Sequence, residues 1–214
     1  MTFTKGGAHA TAQNRLRHPG MIVARKKTFN HFSNANEGKI MQDNTGAKVM
    51  DAETIAFIQG VFEVVRAGDA QQLQSLLDKG MPANFRNQKG DSLIMLAAYH
   101  GHLDAARALL KAGADPHVYN DMGQTPLAGA AYKGNLPMVT LLLEHGTDVE
   151  SMGPDGKTAA MFAAMFNRTE ILDLLLQRGA RIDARDSKGM SPLDLAKTMG
   201  AANTAALLES KGAA

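Results

Sequence analysis

The chain has 214 residues, 44% of them hydrophobic, and a formal net charge of +2, which is typical of one ordinary globular domain. It contains no cysteine, which excludes a disulfide scaffold and thiolate metal sites and fits a cytoplasmic protein. No apolar run approaches the roughly 20 residues of a membrane span, and the first 20 residues lack the apolar core of a secretory signal.

Residues 1–50 form a basic segment without helical or strand periodicity. Eight Lys and Arg stand against Glu37 and Asp43, a net charge of +6, whereas residues 51–214 carry −4. This composition predicts disorder. Four interpretations stay open. The segment is a basic arm, an organelle transit peptide, which the lack of acidic residues in the first 36 positions would suit, or a tail without function. It is otherwise a leader that is not translated as protein, because the codons for Glu37–Met41 can contain a ribosome-binding element, and translation then starts at Met41 or Met50.

A helix is predicted over residues 55–66, after the acidic and capping residues of 51–54. Helical spacing gives it one apolar row that we expect to be buried, which consists of Ile55, Ile58, Phe62 and Val65. A second apolar row consists of Phe57, Val61 and Val64. Because the end of a stack normally presents a polar face, this second row needs a cover from the preceding segment or from a partner.

From this helix onward the sequence repeats with a period of 33 residues. One series comprises Gly68, Gly101, Gly134 and Gly200, with Asn167 in the remaining position; a second comprises Leu76, Leu109, Leu142, Leu175 and Leu208; a third comprises Ala97, Ala130, Ala163 and Ala196. A fixed period of this length indicates stacked supersecondary units.

The series that includes Gly134 lies between two apolar helical runs. We expect the first helix to end there in the left-handed backbone conformation, which Gly adopts freely and Asn tolerates better than most residues. On this reasoning Asn167→Gly is neutral or mildly stabilising.

The segment Gly123–Leu127, which reads GQTPL, is followed by Ala130-Ala131, Gly134, Leu141–Leu143 and Gly146. This pattern resembles the ankyrin repeat, and the resemblance covers residues 54–212. It implies an all-α solenoid of helix-turn-helix units with hairpin or turn tips. The boundaries fall at about 54–86, 87–119, 120–152, 153–185 and 186–212, which gives three full repeats between two capping units. The family's His after Thr-Pro-Leu is replaced by Met95, Ala128, Met161 and Asp194, so we expect less uniform repeat stability.

The resemblance also implies a concave face that binds a partner protein. The residues expected to contact the partner occupy its usual positions before the turn, at the repeat ends and at the tips; they are Tyr99, His100, Tyr119, Met122, Tyr132, Lys133, Met152, Met165 and Phe166. Tyr, Phe and Met supply apolar or adaptable contact area. Tyr132, Phe166 and Met152 are expected to be largely exposed. The alternative for Tyr99 and Tyr132 is packing between neighbouring first helices.

No phosphate loop or Cys-based metal motif is present, so we expect neither catalysis nor a cofactor. The pair His100 and His102 lacks a third ligand, which argues against zinc. Asp residues at the repeat edges, such as Asp115 and Asp155, are typical of turns.

The sequence is similar to the small stand-alone ankyrin proteins of bacteria, some of which accompany catalases. A catalase-type stress enzyme is therefore the expected partner of a cytoplasmic monomer, by analogy only. An inhibitor or immunity-type protein that blocks an enzyme would use the same face. Nucleic-acid binding through the basic arm is the remaining alternative, although the arm has few aromatic residues besides Phe29 and Phe32 that could stack on bases.

Overall fold

Ten α-helices follow one another in five pairs in the part of the chain that the computed structural model describes, residues 40–42, 48–50 and 52–213. The pairs are α1 (Ala52–Ala67) and α2 (Ala70–Asp78), α3 (Leu93–His100) and α4 (Leu103–Lys111), α5 (Pro126–Lys133) and α6 (Leu136–Glu144), α7 (Ala159–Met165) and α8 (Thr169–Gln177), and α9 (Pro192–Thr198) and α10 (Ala202–Ser210). The predicted all-α repeat solenoid is confirmed.

The first helices of the last four pairs all begin on a hydroxyl cap. The caps are Ser92, Thr125, Thr158 and Ser191, and each has an extended backbone and accepts a hydrogen bond from the third helical N–H. In the last unit the Asp194 carboxylate accepts a hydrogen bond from the Ser191 backbone N–H, which completes a capping box. One such cap contributes about 1 kcal/mol.

From α3 onward, the first helices pack more closely on one another along the stack than the second helices do. Small residues explain this, because Ala97, Ala130, Ala163 and Ala196 are completely buried between neighbouring first helices. The second helices place leucines such as Leu142 in the core. We infer that the array bends toward its first helices, as an unequal spacing of the two helix layers requires.

Helix α1 buries residues from both of its apolar rows. In the row predicted to be buried, Phe62 and Val65 are buried, whereas Ile55 is exposed and Ile58 is only partly buried. The second row, Phe57, Val61 and Val64, is buried as well. The expectation that Ile55 and Ile58 lie in the core is wrong, because apolar residues occur on both sides of this helix and spacing alone cannot select the side that meets α2 and α3.

The last unit ends the stack with charged residues. Lys197 and Glu209 are both exposed, and they form an ion pair of 2.8 Å between Nζ and Oε1. The position of Lys197 is buried in the internal repeats and that of Glu209 is partly buried there. Charged side chains at such positions are what a terminal unit requires.

Two short strands precede α1 and were not predicted. Strands β1 (Ile40–Gln42) and β2 (Lys48–Met50) pair antiparallel, with Ile40 opposite Met50. The disorder and leader predictions for residues 1–39 lie outside the described residues.

Each first helix leads into its partner through a left-handed turn residue. Gly134 has φ = 77° and Asn167 has φ = 55°, so the predicted conformation is confirmed at both positions. Asn167 has a further role, because its Oδ1 accepts hydrogen bonds of 3.1 Å from the N–H groups of Asn203 and Thr204. These groups lie at the start of α10, where the capping residue Ala201 supplies no side-chain acceptor.

Asn167→Gly should therefore lower the free energy of unfolding by about 1 kcal/mol, the usual value of a helix cap, in contrast to the sequence expectation of a neutral change. Urea unfolding would measure it. In the Asn167→Gly background, Ala201→Asp should restore most of the loss, because Asp69 and Asn135 cap their own second helices from this position. An Asn167→Gly protein as stable as the wild type would show that these hydrogen bonds contribute nothing.

Side chains at the hairpin tips link one repeat to the next. Asn120 accepts hydrogen bonds from the N–H groups of Met122 and Gln124 through Oδ1. Its Nδ2 donates to Asp91 Oδ1 of the preceding repeat at 2.8 Å. A backbone hydrogen bond from Asp121 N to Lys89 O joins the same two tips, and one from Ser187 N to Asp155 O joins the tips of the fourth and fifth units.

The tips of the third and fourth units meet differently. Pro154 occupies the position of Asp121 and Ser187 and has no N–H to donate. Gly153, which occupies the position of Asn120, is buried against Gly123. A Cβ atom on Gly153 would overlap the Gly123 carbonyl oxygen and lie 2.6 Å from its carbon. Close backbone approach replaces the side-chain contact here.

Asp186 occupies the same position in the last unit, and its side chain is almost fully buried, with a relative exposure of 1%. Oδ1 accepts from the N–H groups of Lys188 and Met190, both at 2.9 Å, and Oδ2 lies 3.7 Å from Lys157 Nζ. Burial alone would raise the pKa of Asp186. The two backbone donors and the Lys157 ammonium outweigh it, so the pKa is lowered.

Candidate functional site

Large apolar side chains are exposed mainly on one surface of the stack. This surface, which we call the inner surface, consists of the C-terminal ends of the first helices, the last residue of each repeat and the hairpin tips. It exposes Tyr99 (37%), Tyr119 (45%), Met122 (72%), Met152 (52%) and Met199 (50%). Among the described residues, the other large apolar side chain that is exposed is Ile55.

An aromatic row runs across the helix ends of the inner surface. Tyr99 and Tyr132 are stacked with ring centroids 6.4 Å apart, and the rings of Tyr132 and Phe166 meet edge to face at 4.6 Å. Tyr132 and Phe166 are partly buried by these contacts, so their expected exposure is wrong. The alternative prediction for Tyr132, packing between neighbouring first helices, agrees with these contacts. Tyr99 combines a stacking contact with an exposed edge.

The structure changes the predicted set of partner-contacting residues at two methionines. Met165 is partly buried against a small cluster of Met161, Ala184 and Leu195, so it offers little surface to a partner. Met199 was not included, although it lies 33 residues after Phe166 and is half exposed. The repeat period would have identified it.

Positive charge lies beside the aromatic row. Lys133 Nζ stands 4.6 Å from the ring centroid of Tyr99, a cation–π contact. Burial lowers the pKa of His100, and the neighbouring His102, Arg66 and Lys133 lower it further. The lowered pKa favours the uncharged form of His100 at neutral pH, and Lys133 supplies positive charge beside it.

The His102 side chain is held by contacts within the protein. Its ring is stacked on His100 with centroids 5.9 Å apart, and its Nε2 lies 2.9 Å from the Arg66 carbonyl oxygen, to which it donates. No group of three or more His, Asp or Glu side chains within the described ranges is placed to hold a metal ion.

The sequence matches the family model for ankyrin repeats over residues 61–153 and 148–214. The chain is an ankyrin repeat protein. A Pseudomonas aeruginosa protein that is named as an ankyrin repeat protein is 55% identical to it over 58 residues. That match covers 27% of this chain and 34% of the relative, so the chain spans about a third of that protein's length.

The acidic residues of this ankyrin repeat protein hold its turns. Asp115, Asp148 and Asp155 each accept a hydrogen bond from the backbone N–H two residues later. This is ordinary Asx-turn geometry, and ankyrin repeats are typically non-enzymatic interaction modules. No helix in the described part of the chain is long and apolar enough to cross a membrane.

Proposed function

We propose that this chain is a non-catalytic module that binds a partner protein through its inner surface. One observation carries the proposal: five of the six exposed large apolar side chains among the described residues lie on that surface. Isolated exposed apolar residues are ordinary, but a concentration of them on one face is typical of interaction sites. Tyr and Met are among the residues enriched at protein interfaces.

The geometry separates residues that contact the partner from residues that support them. Tyr119, Met122 and Met152 are free to be covered by a partner. Tyr132 and Phe166 hold each other and keep the aromatic row in place. Changes at the first three should therefore affect binding, whereas changes at the last two should also affect stability.

The partner is a protein of the same cell. A catalase-type enzyme is the first to test, on the analogy with bacterial ankyrin proteins alone. An inhibitor would engage its target through the same residues. For either function, support of an enzyme or its inhibition, we expect a cytoplasmic monomer, which fits the absence of cysteine.

The triple change Tyr119→Ala, Met122→Ala and Met152→Ala tests the proposal. We expect capture of the native partner from cell extract to weaken at least about tenfold, because truncating a few central apolar contacts removes much of the binding energy. The melting temperature should stay close to that of the wild type, because all three side chains are exposed.

The matched control is Lys111→Ala, Glu144→Ala and Gln177→Ala, which truncates exposed residues at the C-terminal ends of α4, α6 and α8. This protein should capture the partner normally. If the inner-surface triple variant keeps both its melting temperature and its partner, the inner surface is not the binding site.

A further inference from the structure

The charge of the repeat domain is unevenly distributed between its surfaces. Residues 51–214 carry a net charge of −4. The inner surface nevertheless presents cations that have no carboxylate partner among the described residues. Lys133 contacts an aromatic ring, and Lys89 and Lys188 are exposed at the tips. The Arg86 guanidinium donates to the carbonyl oxygens of Gly90 and Tyr119, which leaves its charge uncompensated.

The carboxylates of the inner surface are mostly engaged within it. Asp91 accepts hydrogen bonds from Asn87 and Asn120. Asp155 pairs with Lys157 at 2.9 Å, and Asp194 accepts from the Ser191 hydroxyl at 2.7 Å. Asp121, at a tip, is the exposed carboxylate of this surface without an ion pair among the described residues. Hydrogen bonds from neutral groups leave the charge of Asp91 in place, but the cations of this surface without an ion pair among the described residues still outnumber such carboxylates.

We propose that the partner presents to the inner surface a segment of polypeptide in which carboxylates alternate with apolar side chains. The carboxylates would lie near Lys133 and Arg86, and the apolar side chains would cover Tyr119, Met122 and Met152. Methionine adapts to apolar groups of different shape. The second helices α6, α8 and α10 each carry at least one carboxylate and no Lys or Arg. They repel such a segment where the inner surface attracts it, so charge favours the inner surface as the docking face.

Two other kinds of partner fit less well. A basic segment would meet like charge at Lys133 and Arg86. A nucleic acid would need a continuous series of phosphate contacts, whereas exposed methionines and Asp121 interrupt the cations here.

Selection of random peptides displayed on phage, with the full chain as bait, tests this inference, which rests on the proposed function. We expect the enriched peptides to combine Asp or Glu with Met, Leu or aromatic residues. The affinity of the most enriched peptide should fall with added salt. Lys133→Glu should weaken it at least about tenfold, and Lys133→Gln should weaken it less.

Lys111→Glu makes the same charge change at an exposed position of α4 and should leave the affinity within about twofold, because that charge is distant and screened. Peptides without carboxylates, or an affinity that Lys133→Glu leaves unchanged, would overturn the inference. So would a bait that selects no peptide but binds a mixed-sequence oligonucleotide in a Lys133-dependent manner.

The triple variant Tyr119→Ala, Met122→Ala and Met152→Ala distinguishes failure of the charge inference from failure of the proposed function. Selected peptides that lack acids but lose affinity for the triple variant would contradict only the charge inference. Peptides that bind the triple variant as well as the wild type would contradict the binding surface itself.

Discussion

Gly153→Ala should lower the free energy of unfolding by about 2–3 kcal/mol, the usual cost of forcing an extra group into a packed site. The added Cβ would overlap the Gly123 carbonyl of the preceding tip, and both partners in this contact are backbone. Neither can rotate away as a side chain would, so one hairpin tip must move. Chemical denaturation of the purified protein, followed by helical circular dichroism, measures the effect.

Gly129→Ala is the matched control, because it adds the same methyl group to a buried glycine of the neighbouring third unit. Gly129 lies within α5, and its added Cβ would have no neighbouring atom within 4 Å outside the helix's own backbone. Alanine there should stabilise the protein by about 0.5–1 kcal/mol through its higher helix propensity. If the two substitutions change the free energy of unfolding equally, the close approach of the two tips does not exclude a side chain at Gly153.

Asp186→Ala should also cost about 2–3 kcal/mol at neutral pH. The change removes the acceptor of the Lys188 and Met190 N–H groups and the buried partner of Lys157. Each donor left without an acceptor costs about 1–3 kcal/mol when water cannot reach it fully. Asp186→Asn should cost less, since Asn87 and Asn120 fill the same position in other repeats and accept the corresponding hydrogen bonds.

The lowered pKa of Asp186 sets the direction of a pH effect. The folded chain keeps this carboxylate ionised at a pH where the unfolded chain already binds a proton. Its contribution is therefore complete above the ordinary pKa of 3.8 and is lost as the pH falls through the lowered value. Asp186→Asn should flatten this acid limb of the stability curve, whereas Asp121→Asn, at an exposed tip, should leave it unchanged. An acid limb that persists in Asp186→Asn would assign the loss to other carboxylates.

The period of 33 residues predicted the helix pairs because each repeated residue has a local reason to occur. A left-handed turn needs Gly or Asn, and Gly134 and Asn167 can be recognised without knowledge of their neighbours. The burial of Phe62 and Val65 in α1 was predicted from helical spacing, but the burial of its second apolar row could not be. Val61 and Ile58 lie in two apolar rows of similar strength, and only the contact with α2 and α3 distinguishes them.

The same distinction holds for the inner surface. The exposure of Tyr119, Met122 and Met152 follows from their position in the repeat, because the last residue and the tip face away from the core. The partial burial of Tyr132 depends on Phe166 of the following repeat, which occupies the position that Lys133 has in the third unit. A contact between two repeats of this kind depends on rotamers and on helix spacing, neither of which the period encodes.

The pairs that join neighbouring repeats make the order of the repeats specific. Asp91 is matched to Asn120, Lys157 to Asp186, and Asn167 to the start of α10. If a gene duplication inserted a second copy of residues 153–185, Lys157 of the first copy would face Gly153 of the second. Asn167 would then lie beside Arg168 instead of Ala201. Recombination that lengthens this array therefore has to be followed by compensating substitutions at the new boundary.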